Sequence, residues 1–343
     1  MAADGFRKEP PSVCVSSGSR DRWFSHLTPR FSGAHRTVLM SASLSRPQWI
    51  QVAVITAAAV ALYVGFRMLP IGTNLNHMDF RVAEGNAIEF CDPANPQFIP
   101  VIAVRSPVSM TLTSDAPARA GQSARVTVRL ATSSGKPLAP PDLRVEHTRR
   151  LHLLVVDPSL DDYQHLHPEP GARPGDWVFD FTPRFGGDYR VFADFVPVAT
   201  GRGLYAGTDF KVEGPVHAVD PVRPTQETVE LAGVRYHLRV DGGALRVDAP
   251  ADLVFSLERV DGGDVDLQPV MDAYAHLVAF DSGRGGFAHL HPMDAGLAQP
   301  PDRRRPTMRF KVTIPAPGPY VVWAQVGLEG RDVFVPFWLN VVP

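Results

Sequence analysis

Histidines recur in this sequence at a spacing that suits metal binding. One histidine is followed 13 residues later by a His-x-His pair, and the whole pattern returns at an offset of 124 residues. The two sets are His152, His165 and His167, and His276, His289 and His291. Side chains two apart in a β-strand point to the same face, so each pair can bring two imidazoles to one ion. We expect the preceding histidine to open a strand that pairs with the His-x-His segment as a hairpin.

Three imidazoles suit Cu(II), Zn(II) or Ni(II), and the Irving–Williams order puts copper first, with zinc as the alternative. Four other residues are candidates for orienting the imidazoles. Asp157 and Asp281 lie five residues beyond the first histidine of each set, where they are either turn residues or partners that fix a tautomer. Asp194 and Gln325 occupy matching positions in a later strand of each repeat, from which they can approach the site.

The histidines also have a purely structural interpretation. A histidine in a core strand often only hydrogen-bonds to the backbone, and His-x-His-Pro can be a corner whose imidazoles hold a turn. Recurrence in register favours metal binding, although a repeat also follows from common ancestry alone. Both interpretations predict the same strands and differ in where the imidazole nitrogens point.

Several functional classes are excluded by what the sequence lacks. Its two cysteines, Cys14 and Cys91, fall outside both repeats, so neither repeat can form a blue-copper site or a Cys₄ zinc site. No Walker loop, GxGxxG, HExxH or GxSxG motif is present. A net charge of −2 leaves no basic footprint for nucleic acid. We expect a protein that is not an enzyme.

The elements that must position the histidines are strands. Apolar residues alternate with polar ones over 124–130 and 253–257, which predicts half-buried strands, and clusters of Gly, Pro and Asp separate such segments. No long amphipathic helix follows residue 70. The sequence predicts an all-β chain with two tandem immunoglobulin-like or cupredoxin-like β-sandwiches. We place the first at 105–214 and the second at 225–343, joined by a proline-rich linker at 215–224.

A charge-free apolar run from Trp49 to Phe66 precedes these domains and is long enough to cross a bilayer. Seven basic and three acidic residues come before Arg67, while 26 basic and 33 acidic residues follow it. The positive-inside rule then puts the N-terminus in the cytoplasm and the sandwiches outside. The alternatives are a buried soluble helix and a cleaved signal peptide. We predict a disordered cytoplasmic segment (1–48), a transmembrane signal anchor (49–69) and a juxtamembrane connector (70–104).

The second repeat resembles a known group of sequences. Pro269-Val-Met-Asp-Ala-Tyr-Ala-His276-Leu-Val, Phe287-Ala-His289-Leu-His291-Pro292 and Gly318-Pro-Tyr320 are similar to the PYLGAxGHLV…HxHP…GxY pattern of bacterial envelope proteins. This sequence has Asp272-Ala-Tyr-Ala275 where that group has LGAxG. The resemblance implies immunoglobulin-like domains of a secreted or heavy-metal-associated type.

These patterns together predict a single-pass protein of the bacterial inner membrane that binds copper outside the cytoplasm as a chaperone, store or sensor. Its partners would be the membrane and an envelope or metal-transport protein, not nucleic acid. The alternative is a non-catalytic envelope interaction module with structural histidines.

Overall fold

The structure is a computed structural model that describes residues 45–68, 75–80, 96–220, 222–294 and 297–343. Most of the segment 1–48, for which we predict disorder, and both cysteines lie outside the described residues. The chain divides into two compact units, residues 1–70 and 71–343.

The first unit contains helix α1, Arg46–Met68, which is long and apolar enough to cross a membrane. Its 23 residues rise about 34 Å. The helix begins three residues before the predicted anchor because Ser45 and Gln48 cap it: the Ser45 N–H donates to Gln48 Oε1 over 2.8 Å. Ser-x-x-Gln before an apolar run is a capping-box sequence, from which this earlier start is predictable.

The second unit begins, in its described part, with a 3₁₀ helix at His77–Phe80 and continues into the first sandwich. Strands β1, β3, β7 and β6 form one sheet and β2, β9, β8, β4 and β5 the other, in those orders. Their bounds are β1 Val108–Ser114, β2 Ala118–Arg119, β3 Ala124–Thr132, β4 His152–Val156, β5 Tyr163–Leu166, β6 Glu169–Pro170, β7 Asp176–Phe181, β8 Gly187–Phe195 and β9 Leu204–Glu213. A short 3₁₀ helix, Pro140–Asp142, lies between β3 and β4.

The second sandwich repeats this arrangement. One sheet has the order β10, β11, β13, β17; the other has the order β12, β19, β18, β15, β16, with β14 also paired to β18. The bounds are β10 Thr228–Leu231, β11 Val234–Val240, β12 Leu245–Arg246, β13 Ala251–Arg259, β14 Leu267–Gln268, β15 His276–Asp281, β16 Phe287–Leu290, β17 Thr307–Val312, β18 Gly318–Leu328 and β19 Arg331–Val342. The predicted all-β architecture, two tandem sandwiches after one apolar helix, is confirmed.

The two strands that begin with a histidine, β4 and β15, are buried on both faces. Leu153 and Val155 point into the core of the first sandwich, while Leu154 and Val156 belong to a separate apolar cluster. That cluster also contains side chains of the second sandwich: Val278, Phe280, Phe287, Val321, Trp323 and Trp338. The β4 and β15 sheets therefore pack their outer faces against each other, and the sandwiches share a third core.

Alternation of burial along the predicted strands holds in one case and fails in the other. Strand β3 alternates as expected. In β13, Val254 and Ser256 are buried along with their neighbours, at 6% and 8% exposure.

The connector reaches across to the second sandwich. Ile99 exchanges two backbone hydrogen bonds with Phe287, the first residue of β16. The next residue back, Gly286, has no room for a side chain, because a Cβ there would lie 1.9 Å from the Ile99 carbonyl oxygen. A glycine is required where the two backbones approach this closely.

Candidate metal centre

The first triad of imidazoles is assembled by the hairpin of β4 and β5. His152 begins β4, and Leu154 pairs with His165 in β5. His167 follows the end of β5 and precedes Pro168; a residue before proline is held in an extended conformation, so His167 stays on the same face as His165. The ring centroids lie 4.7–5.3 Å apart. One nitrogen from each ring falls within 4.8 Å of the other two.

The second triad is built in the same way by β15 and β16. Val278 pairs with His289, as Leu154 pairs with His165, and His291 precedes Pro292. The ring centroids are 4.7–5.8 Å apart, and one nitrogen from each of His276, His289 and His291 lies within 4.8 Å of the other two. The hairpins predicted from the spacing are present in both repeats.

In the histidine that opens each hairpin, the outer ring nitrogen, which points away from the other two imidazoles, is hydrogen-bonded to a backbone carbonyl oxygen. His152 Nε2 lies 3.1 Å from the Glu146 carbonyl oxygen, and His276 Nε2 lies 2.9 Å from that of Val270. A carbonyl oxygen only accepts, so each Nε2 carries the proton and donates. Nδ1 of each ring is then left with a lone pair that faces the triad.

The second histidine of each triad is oriented by the other sandwich. Asp194 and Gln325 pair with His152 and His276 in their own sheets, yet their side chains cross the interface. His165 Nδ1 donates to Gln325 Oε1 over 2.8 Å, and His289 Nδ1 donates to Asp194 Oδ2 over 3.1 Å.

The amide orientation of Gln325 follows from its other partner. Gln325 Nε2 donates to the Asp332 carboxylate over 2.9 Å, which leaves Oε1 to accept. The hydrogen bonds of His165 to Gln325 and of His289 to Asp194, which we call the crossed bonds, therefore put the proton on Nδ1 of each ring. Nε2 of each ring is left with an inward lone pair.

The inward nitrogens lack partners. Buried His167 Nε2, His276 Nδ1, His289 Nε2 and His291 Nε2 make no hydrogen bond among the described residues. His152 Nδ1 and His165 Nε2 lie 3.2 Å apart. Because the other nitrogen of each of these two rings already donates, both facing atoms carry lone pairs and need a cation between them. The donor set therefore fits a metal ion in each triad.

Burial keeps the imidazoles neutral, the form that binds metal. It lowers the pKa of all six histidines, to about 3 for His167 and to about 4 for His276. Repulsion from neighbouring imidazoles lowers the pKa of His165 and His289 further. Burial raises the pKa of Asp194, and the nearby His152 opposes that shift.

Asp157 and Asp281 lie in turns at the far ends of β4 and β15. The Asp157 carboxylate accepts from the Asp161 and Asp162 amides, each over 2.9 Å, and from Ser159. Asp281 accepts from the amides that follow it, including Gly285 over 2.7 Å. Of the two interpretations offered by the sequence, the turn is the one that the hydrogen bonds describe.

A seventh histidine, His147, lies beside the second triad and was not predicted from the sequence. His147 stacks on His291 at 3.9 Å between ring centroids and has φ of 49°. Its counterpart at the 124-residue offset is Met271, with φ of 50°. The repeat offset was the signal that could have found it, since it aligns a histidine with a methionine, and both residue types bind copper.

A cleft of about 300 Å³ opens beside both triads. His152 and Asp194 line it from the first sandwich, and His289 and His291 from the second, with His147 on its wall. The cleft therefore borders members of both triads.

Two of the solved structures that match the chain are distant from it in sequence. A Corynebacterium diphtheriae protein described as membrane anchored is 10% identical, with 68% of this chain and 59% of that chain covered and a TM-score of 0.23. A DUF4785 family protein of Legionella pneumophila is 9% identical, with 69% and 56% covered and a TM-score of 0.23. The chain thus spans less than two thirds of either protein, and scores this low carry no inference.

Comparison with curated proteins finds no significant match. The family described as "Domain of unknown function (DUF8832)" matches residues 103–214 and again residues 228–343. These two matches contain all of the triad histidines and cover well over half of the sequence. The chain therefore belongs to this family and carries two copies of its domain.

Proposed function

We propose that this protein is a membrane-anchored metal-binding protein of the bacterial envelope. Each sandwich supplies three histidines to bind a transition metal, copper first and zinc as the alternative. The protein would act as a metal chaperone, store or sensor, with a metal-transport or other envelope protein as its partner. In this proposal the triads bind the ion and catalyse no reaction.

One observation carries the proposal: three ring nitrogens converge in each triad, and the outward hydrogen bonds of two of the rings leave each of those two with an inward lone pair. Metal-bound histidines characteristically donate their second N–H to a carbonyl or carboxylate. An unmet lone pair in a buried site costs free energy, and three that converge are satisfied together by one cation. All-imidazole donors favour copper over zinc by the Irving–Williams order.

The alternative module with structural histidines is favoured by a different feature of the same contacts. The crossed bonds of His165 with Gln325 and of His289 with Asp194 join the two sandwiches without any ion. In that case the histidines would hold the interface, and an envelope partner would bind elsewhere.

Metal titration distinguishes the metal-binding protein from the interaction module. We expect the full chain in detergent to bind copper or zinc at two ions per protein by calorimetry. Replacing His167 and His291, the last histidine of each triad, with alanine should abolish most of that binding. His217→Ala, in the exposed linker, is the matched control and should bind as the parent does. Equal binding by the parent and the double variant would overturn the proposal and favour the interaction module.

The proposed location rests on α1 and on the basic excess before it. We propose that the sandwiches lie outside the cytoplasm, anchored in the inner membrane. A reporter enzyme that is active only outside the cytoplasm, fused after Pro343, should be active. An inactive reporter in a stable fusion would reverse the orientation.

A further inference from the structure

The two triads lie in direct contact. His165 and His289, one from each triad, have ring centroids 5.2 Å apart, and His152 lies 5.8 Å from His289. These separations match those within a single triad, which run from 4.7 to 5.8 Å. Rings this close leave no room for protein between the triads, so ions in both would be neighbours in one buried cluster.

Each triad is also completed by the other sandwich. Gln325 of the second sandwich orients His165 of the first, and Asp194 of the first orients His289 of the second. One histidine of each triad is therefore held by a residue that pairs, in its own sheet, with the first histidine of the other triad. The cleft touches members of both.

Charge makes the two ions unequal. The six imidazoles are neutral donors. The Asp194 carboxylate lies near His152 of the first triad as well, but it hydrogen-bonds to His289 of the second, and this bond is what distinguishes the two triads. Two divalent ions would place four positive charges beside this carboxylate. At short range in a poorly solvated site, repulsion between ions scales with the product of their charges, so it is about fourfold weaker for two Cu(I) ions than for two divalent ions.

We propose that the six histidines form one two-ion centre, not two independent sites. A divalent ion first occupies His276, His289 and His291, next to the Asp194 carboxylate. It then weakens binding of a second ion to His152, His165 and His167. This inference rests on the proposed function, because it assumes that the triads bind metal.

Electron paramagnetic resonance of the full chain loaded with Cu(II) tests the pairing without any substitution. At one Cu(II) per protein we expect the spectrum of an isolated ion. At two we expect mutual broadening or loss of signal, with a half-field transition from the coupled pair. Two ions that give the plain sum of two isolated spectra would overturn the inference.

Calorimetry on three variants tests the order. His291→Ala should remove the tighter of two zinc-binding steps, and His167→Ala the weaker one. In His291→Ala the remaining triad should bind more tightly than its step in the parent, since no first ion repels the second. The control His217→Ala should keep both steps. If the first triad binds zinc with the same affinity in the parent and in His291→Ala, the inference is overturned.

The two proposals fail in different ways. If the parent chain binds neither copper nor zinc, the proposed function fails, and the two-ion centre with it. If the parent binds two ions that are magnetically isolated and independent in affinity, metal binding stands and only the two-ion centre fails.

Discussion

At the scale of single residues, the orientation of the imidazoles is set by the groups that accept hydrogen bonds from their outer ring nitrogens. Carbonyl oxygens of Glu146 and Val270 accept from His152 and His276, and side chains accept from His165 and His289. The triads differ in one respect: His289 bonds to a carboxylate, and His165 bonds to an amide. A carboxylate raises the basicity of the imidazole that it accepts from, so the second triad should bind divalent metal more tightly.

Asp194→Asn should reveal this difference. Asparagine can still accept from His289 Nδ1 but removes the negative charge, so zinc affinity at the second triad should fall by about 10- to 100-fold while the stoichiometry stays at two. Competition against a chromophoric chelator measures the change. Asp188→Asn, an exposed position in the same strand, is the control. An unchanged affinity in Asp194→Asn would show that the charge has no effect.

The buried histidines should make the metal-free protein sensitive to acid. Histidines of the unfolded chain take up protons near the ordinary pKa of about 6.5, whereas folded His276 and His167 do so only near pH 4 and 3. Between those limits the unfolded state binds more protons, so the free energy of unfolding falls as pH drops below about 6.5. Thermal unfolding with chelator present should give a lower Tm at pH 5 than at pH 7. A Tm that is constant over this range would contradict the expectation.

At the scale of elements, β4 and β15 each perform two tasks. One face of each strand closes the core of its own sandwich, and the other face packs against the opposite sandwich next to the triads. In β15, Phe280 is fully buried on the shared face and contacts Tyr163 of β5 at 5.4 Å between ring centroids. Tyr163 lies two residues before His165, so packing on this face sets the position of the triad.

Phe280→Ala should therefore affect both stability and the metal site. A large cavity in a core costs about 3–5 kcal/mol of unfolding free energy, and here it also loosens the contact between the two hairpins. Phe255→Ala, fully buried within the second sandwich, should cost a similar amount. Chemical denaturation measures stability, and the Cu(II) spectrum reports on the site. We expect an altered spectrum only in Phe280→Ala; identical spectra in both variants would count against coupling through the shared core.

At the scale of the second unit, several segments bind the sandwiches together. Ile99, which precedes the first sandwich, pairs with Phe287 in the second. In the linker, Arg223 lies 2.6 Å from the Asp161 carboxylate and stacks over the Trp338 ring at 4.8 Å. With the apolar cluster and the crossed hydrogen bonds, these contacts make one body from two repeats.

Cutting the linker should not separate the halves. A protease site inserted after the exposed Val219 can be cleaved in the purified full chain. We expect the two fragments to migrate together in size-exclusion chromatography, and zinc to protect the complex from dissociation by urea. Because Asp194 of the first sandwich orients His289 only while the halves are docked, zinc should bind the docked state more tightly, and its effect should grow with its concentration. Fragments that separate in buffer with zinc would show that the shared core and the metal do not hold the halves together.

The sequence by itself determined the local features of this protein. The apolar run predicted a helix, alternation predicted strands, and the 124-residue repeat predicted two hairpins that each gather three histidines. Such features depend on contacts close along the chain, so spacing and side-chain type suffice to predict them. The continuous apolar runs at Leu153–Val156 and Leu277–Phe280 are typical of strands buried on both faces, but this burial was not among the predictions.

Tertiary structure alone decided that the two triads meet. His165 and Gln325 are separated by 160 positions in the chain, and nothing in their local sequence indicates a hydrogen bond between them. The same holds for His289 with Asp194, and for His147, which reaches the second triad from a turn of the first sandwich. Packing of two outer sheet faces determines these contacts, because the pairing depends on how two surfaces fit and not on the spacing within either strand.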